Sequence, residues 1–102
     1  MAYLKMATAK PAANTLATLY TIGAVSGLAN LIICNTGKTS TYVDVAISAT
    51  TTPTADEYFI KGLHIDGGST VEFKDLIVTA TENVMVTSGT ADITYRLCGN
   101  VA

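Results

Sequence analysis

The residues that could do chemistry are few and scattered. His64 is the single histidine of the chain, and it lies in FIKGLHID, just before the turn residues Asp66, Gly67 and Gly68. Nucleophilic catalysis by a Ser/His or Cys/His pair needs a third group to orient the imidazole and donors for an oxyanion, and no motif places a serine or cysteine beside His64. The carboxylates Asp56, Glu57, Asp66, Glu72, Asp75, Glu82 and Asp92 fall near strand ends, where exposed acids are ordinary. General acid–base work would need two of them in one cleft, and nothing in their spacing sets up such a pair. DGGSTVEFKD lacks the alternating acidic or amide ligands that a calcium loop places before its glycine. NTGKTS contains Gly-Lys-Thr, but a phosphate-binding loop requires a glycine five residues before its Gly-Lys, where this chain has Ile32, and a helix after it. A hairpin turn is the reading that remains.

Cys34 and Cys98 sit inside strand patterns, and two thiols with one distant histidine cannot complete a tetrahedral metal site. They are expected to be reduced and to behave as small hydrophobes. Tyr3, Tyr20, Tyr42, Tyr58 and Tyr95, with Phe59 and Phe73, could form a stacking platform, but stacking on nucleic acid comes with a basic groove. Carbohydrate binding stays open. The expected catalytic, cofactor-binding and metal-ligating residues are therefore none, no cofactor is expected, and an enzyme is not.

Composition points the same way. The chain of 102 residues is 49% hydrophobic and only 14% charged, against a usual charged share of about a quarter. Seventeen of its residues are threonine, which favours strands and can face either water or a neighbouring protein. Such an exterior gives up its water cheaply. Net charge is −2, and the six Lys and Arg residues, spread from Lys5 to Arg96, make no patch. That argues against nucleic acid as a partner. The apolar runs are strand-length, too short for a signal-peptide core or a membrane span, so the expectation is synthesis in the cytoplasm and no membrane insertion.

Short runs of β-branched and aromatic residues, separated by Gly, Asn, Asp and Ser, predict strands at 16–22, 26–35, 41–49, 57–65, 69–79 (broken near Lys74-Asp75), 82–87 and 91–98. Segments 31–48, 64–78 and 82–99 each read as strand, tight turn, strand, with Asn35-Thr36-Gly37-Lys38, Asp66-Gly67-Gly68 and Ser88-Gly89 supplying residues that tolerate positive φ. ATTTPTADE is the one long connection. Residues 1–14 read as an extended N-terminal arm that orders on a neighbouring subunit or shell, and 15–102 as the folded domain. Seven or eight such strands predict an all-β antiparallel two-sheet sandwich, jelly-roll or Ig-like. Alternation puts Leu19, Leu31, Ile33, Val43, Val45, Ile47, Val84, Val86, Ile93, Tyr95 and Leu97 in its core.

Two runs break the alternation. ANLIIC and KDLIVTA are apolar on both faces, which in a sandwich strand implies a cover over the outward face. The arm or another subunit is expected to supply it, and the candidate interface residues are Tyr3, Leu4, Met6, Ile32 and Cys34.

Together, TLATLYTIGA, ANLIICNTGKTSTYVDVAI, GGSTVEFKDLIVTATENVMVTS and ITYRLCG resemble the strand-and-turn pattern of small all-β virion proteins of tailed bacteriophages, over about Thr15 to Gly99. The resemblance implies no catalytic residues. It implies a capsid decoration (cement) protein on the virion surface, a homo-oligomer, a trimer, bound to the major capsid protein. Tail or head-fibre components and receptor- or carbohydrate-binding modules share the pattern. The absence of anything beyond the sandwich and a short arm favours a stand-alone subunit.

Overall fold

Period-2 alternation of apolar and polar residues carries through into eight strands among the described residues. The computed structural model describes residues 4–23 and 26–99, with side chains from Ala7 onward. The strands are β1 (Leu4–Ala9), β2 (Ala17–Thr21), β3 (Gly27–Asn35), β4 (Thr41–Ser48), β5 (Tyr58–Ile65), β6 (Thr70–Val78), β7 (Asn83–Ser88) and β8 (Ile93–Gly99). A single 3-10 turn, Ala55–Glu57, precedes β5. Two four-stranded antiparallel sheets result, ordered β1-β8-β3-β6 and β2-β7-β4-β5, and they pack as a β-sandwich.

The pairing is nested. β4 pairs β5, β3 pairs β6, β2 pairs β7 and β1 pairs β8, as though one long hairpin had been rolled over on itself. This corrects the hairpin expectation: none of the three tight turns joins paired neighbours. Asn35-Thr36-Gly37-Lys38, Asp66-Gly67-Gly68 and Ser88-Gly89 each carry the chain from one sheet to the other. Of these turn residues only Gly68 has positive φ, at 79°. Gly37 and Gly67 are small for another reason. A Cβ on Gly37 would stand 2.5 Å from the Asp92 carboxylate, and one on Gly67 would run into the Lys38 carbonyl.

The three crossovers meet at one end of the sandwich, where Asn35 ties the first two and Thr36 reaches the third. Its fully buried side chain donates to the carbonyls of Thr39 (2.9 Å) and Ile65 (3.1 Å) and accepts from Gly37 N–H (3.0 Å). Its backbone exchanges hydrogen bonds with Ser69 and Gly68. Thr36 adds two more to the Asp92 carbonyl. Every amide function of Asn35 is thus satisfied, the condition for leaving it in the interior.

Ten of the eleven expected core residues are buried. Ile47 is half-buried and packs against the cluster, at the side where β5 and β6 leave the sandwich open. Ile22, Ala29, Ile60, Ile65 and Val78 join the core as well. Val78 does so because the expected break near Lys74-Asp75 is a bulge within a continuous strand: Asn30 of β3 faces both Lys74 and Asp75. Asp75 has φ 58°, and its N–H donates to Asn30 Oδ1 at 3.0 Å. The extra residue shifts the alternation by one, so Leu76 and Val78 turn inward while Ile77 alone turns out. KDLIVTA is therefore not apolar on both faces of one regular strand.

The same device recurs on β5. Asp44 faces Lys61 and Gly62 together; Gly62 takes φ 66° and donates to Asp44 Oδ1 at 2.6 Å, and Lys61 Nζ lies 3.2 Å from Oδ2. In β1 and β2 the register also slips by one residue, at Met6 and Leu19. All four edge strands therefore carry at least one extra residue, β5 a second at Phe59, and no central strand does.

Residues 4–9, expected as an arm seeking a partner, pair with β8 of the same chain. That sheet edge supplies the hydrogen bonds an extended arm would otherwise lack, so the crossing to a neighbour is corrected to an intramolecular edge strand.

Tyr95 is the largest fully buried side chain, and its hydroxyl has no hydrogen-bond partner. Burial pushes its pKa up to about 12, and the neighbouring Ser88 hydroxyl donates to the Thr90 carbonyl instead of to the tyrosine. A buried polar atom left unpaired costs about 1 to 3 kcal/mol. Tyr95→Phe is therefore expected to leave stability unchanged or raise it by about 1 kcal/mol. The raised pKa also has a signed consequence: the tyrosinate forms more readily in the unfolded chain, so stability is intact below about pH 10 and falls between pH 10 and 12, by up to about 1.4 kcal/mol per unit. Urea titrations of both proteins at neutral pH and above pH 10 check this. The Phe variant should lose less on the alkaline side.

Candidate interaction surfaces

The outward face of the first sheet is laid out by strand register. One row runs Thr8, Arg96, Ile32, Glu72 across β1, β8, β3 and β6, and the next runs Thr94, Cys34, Thr70 across β8, β3 and β6. Ile32 and Cys34 are half-buried and form the floor of an open groove of about 570 Å³, bounded by Thr8, Ala9, Lys10, Thr94, Tyr95 and Arg96. Among the described residues its charged lining is Lys10 and Arg96, both exposed. Glu72, beside Ile32 on the β6 side, stands 3.9 Å from Lys74.

Of the five candidate interface residues, the structure brings Ile32 and Cys34 together in this groove. Leu4 and Met6 lie on β1, their side chains outside the described ones, and Tyr3 lies outside the described residues. Cys98 faces Asn30, and Cys34 faces Thr94. Four residues of strand put the thiols about 13 Å apart, beyond the reach of a disulfide.

A second surface lies at the open side of the sandwich. Ile77 is 75% exposed and Phe59 43% exposed. With Ile47, Leu76, Asp56, Glu57 and Glu82 they line a shallow cleft of about 520 Å³ whose only charges are the three carboxylates. Asp56 is held below the usual carboxylate range by the Thr54 hydroxyl, and Glu57 by the Thr54 N–H and then the Ser48 hydroxyl. Both stay ionised through the neutral range.

The outward face of the second sheet closes over itself. Ala46 and Met85 are buried there among Tyr58, Lys61 and Thr18, with Lys61 Nζ 4.5 Å from the Tyr58 ring centre. Toward one end, Tyr42 is 39% exposed, donates its hydroxyl to Asn14 Oδ1 at 3.0 Å, and pairs across the strand with His64, whose Nε2 lies 2.8 Å from Asp66.

Comparison of the chain with family models, curated proteins and solved structures returned no match. The surfaces therefore rest on their own geometry. Sequence reading missed Lys10, Arg96 and Ile77 as surface-forming residues and offered Phe59 only as part of a stacking platform. Arg96 was within reach, since alternation in DITYRL places it outward. Ile77 was not, because its direction depends on the bulge at Asp75.

Proposed function

We propose that this chain is a virion structural protein of a tailed bacteriophage: a capsid decoration (cement) protein, homotrimeric, bound at the capsid surface to the major capsid protein after synthesis in the host cytoplasm. The nested strand pairing carries the reading. Eight strands paired 1·8, 3·6, 2·7 and 4·5 follow the connectivity of a jelly roll, an architecture shared by viral capsid and lectin domains, and the strand and turn motifs resemble those of phage virion proteins. Binding would act through many weakly held copies on a symmetric shell, where modest contacts become firm by avidity.

The test is addition of purified protein to particles that lack it. Binding that saturates at a fixed number of copies and raises the temperature of genome release is expected. Absence of binding, or binding to tails alone, overturns the assignment, the latter in favour of a tail component. The Tyr42, Asn14, His64 and Asp66 cluster favours a second reading, a carbohydrate- or receptor-binding module. An exposed ring beside hydrogen-bonding groups suits a sugar face, and glycan binding lost in Tyr42→Ala would select it.

A further inference from the structure

The two apolar surfaces of the sandwich are opposite in charge. The groove over Ile32 and Cys34 is flanked by Lys10 and Arg96, and Glu72, beside Ile32 on the β6 side, stands 3.9 Å from Lys74, so cations prevail among the described residues there. The open side presents Ile77 and Phe59 flanked by Asp56, Glu57 and Glu82 and no lining cation. One surface is a hollow of half-buried side chains. The other carries Ile77, the most exposed large apolar residue among those described.

We infer that copies of this chain associate head to tail, the exposed Ile77 side chain at the rim of one copy's acidic cleft seated in the Ile32–Cys34 groove of the next. Self-pairing of like surfaces is opposed. Groove against groove sets Lys10 and Arg96 against themselves, and one Ile77 rim against another opposes three carboxylates to three. Only the mixed contact matches charge to charge and apolar surface to apolar surface. Such a contact is heterologous, which is the kind that every ring larger than a dimer requires. The inference deepens the homo-oligomeric part of the proposed function and rests on it, but not on the capsid as partner.

Charge reversal tests it in solution. Arg96→Glu in the groove and Glu82→Arg in the cleft beside Ile77 are each expected to weaken self-association about tenfold or more, and the double variant to recover most of the loss. Sedimentation velocity over a concentration series reads this, with thermal melts confirming that each variant is folded. A second measurement does not depend on charge. Ile77→Cys should form intermolecular disulfides with Cys34 under mild oxidation, and Ile77→Cys with Cys34→Ser should not.

A wild-type chain that stays monomeric at high concentration overturns both this contact and the homo-oligomer. An oligomer indifferent to both reversals and uncrosslinked through Cys34 overturns the contact alone. An oligomer that responds as stated but binds no particle upholds the contact and removes the capsid assignment.

Discussion

Val45→Asp is expected to abolish folding. Val45 is fully buried in β4, between Ile60 of β5 and Val86 of β7, and the core cluster around it offers no cation. An ionised carboxylate there would have to be neutralised or exposed, at a cost of several kcal/mol, comparable with the roughly 5 to 10 kcal/mol that holds a domain of this size together. Circular dichroism should show no cooperative melt. The same substitution at Ile47, which is half-buried at the open side of the sandwich, should leave a folded protein with a lowered midpoint. Equal behaviour of the two variants would refute the placement of the core.

Asn35→Ala is expected to lower stability by about 3 kcal/mol, from three buried side-chain hydrogen bonds and the two carbonyls, on Thr39 and Ile65, left without their donor. Asn35→Asp should be worse at neutral pH. It keeps the acceptor for Gly37 N–H but turns a carboxylate toward two carbonyl oxygens. Denaturant midpoints of the three proteins check the order wild type, Ala, Asp. An Asp variant as stable as wild type would mean that Asn35 does not tie the crossovers together.

These two residues mark what the sequence made legible. Val45 was readable because Val43, Val45 and Ile47 alternate with Asp44 and Ala46, and alternation assigns a face without knowledge of the partner strand. Seven of the eight strands and the two-sheet sandwich follow from that local signal, whereas β1 was read as an arm. Asn35 was read as a turn residue tolerant of positive φ. Its role depends on Ile65 and Gly68, some thirty residues away, and local turn chemistry is the same for a hairpin and for a crossover between sheets. That is also why the three tight turns were given the wrong partners. On the surface, Ile32 and Cys34 could be placed on the outward face of their strand, whereas Ile77 needed the Asp75 bulge and Lys10 needed β1 to lie along β8.

The extra residues in β1, β2, β5 and β6 bear on how this protein can live at high density. A straight edge strand offers a row of unpaired N–H and C=O groups to any chain in extended form, and templated growth along such edges leads to cross-β fibres. Here each edge is kinked where a bulge interrupts the ladder, two of them with the left-handed residue's N–H already taken by Asn30 or Asp44. A sheet built this way resists being lengthened sideways. Crowded copies are left to meet through side chains rather than backbones, so a molecule rich in threonine and strand can be concentrated without seeding a fibre.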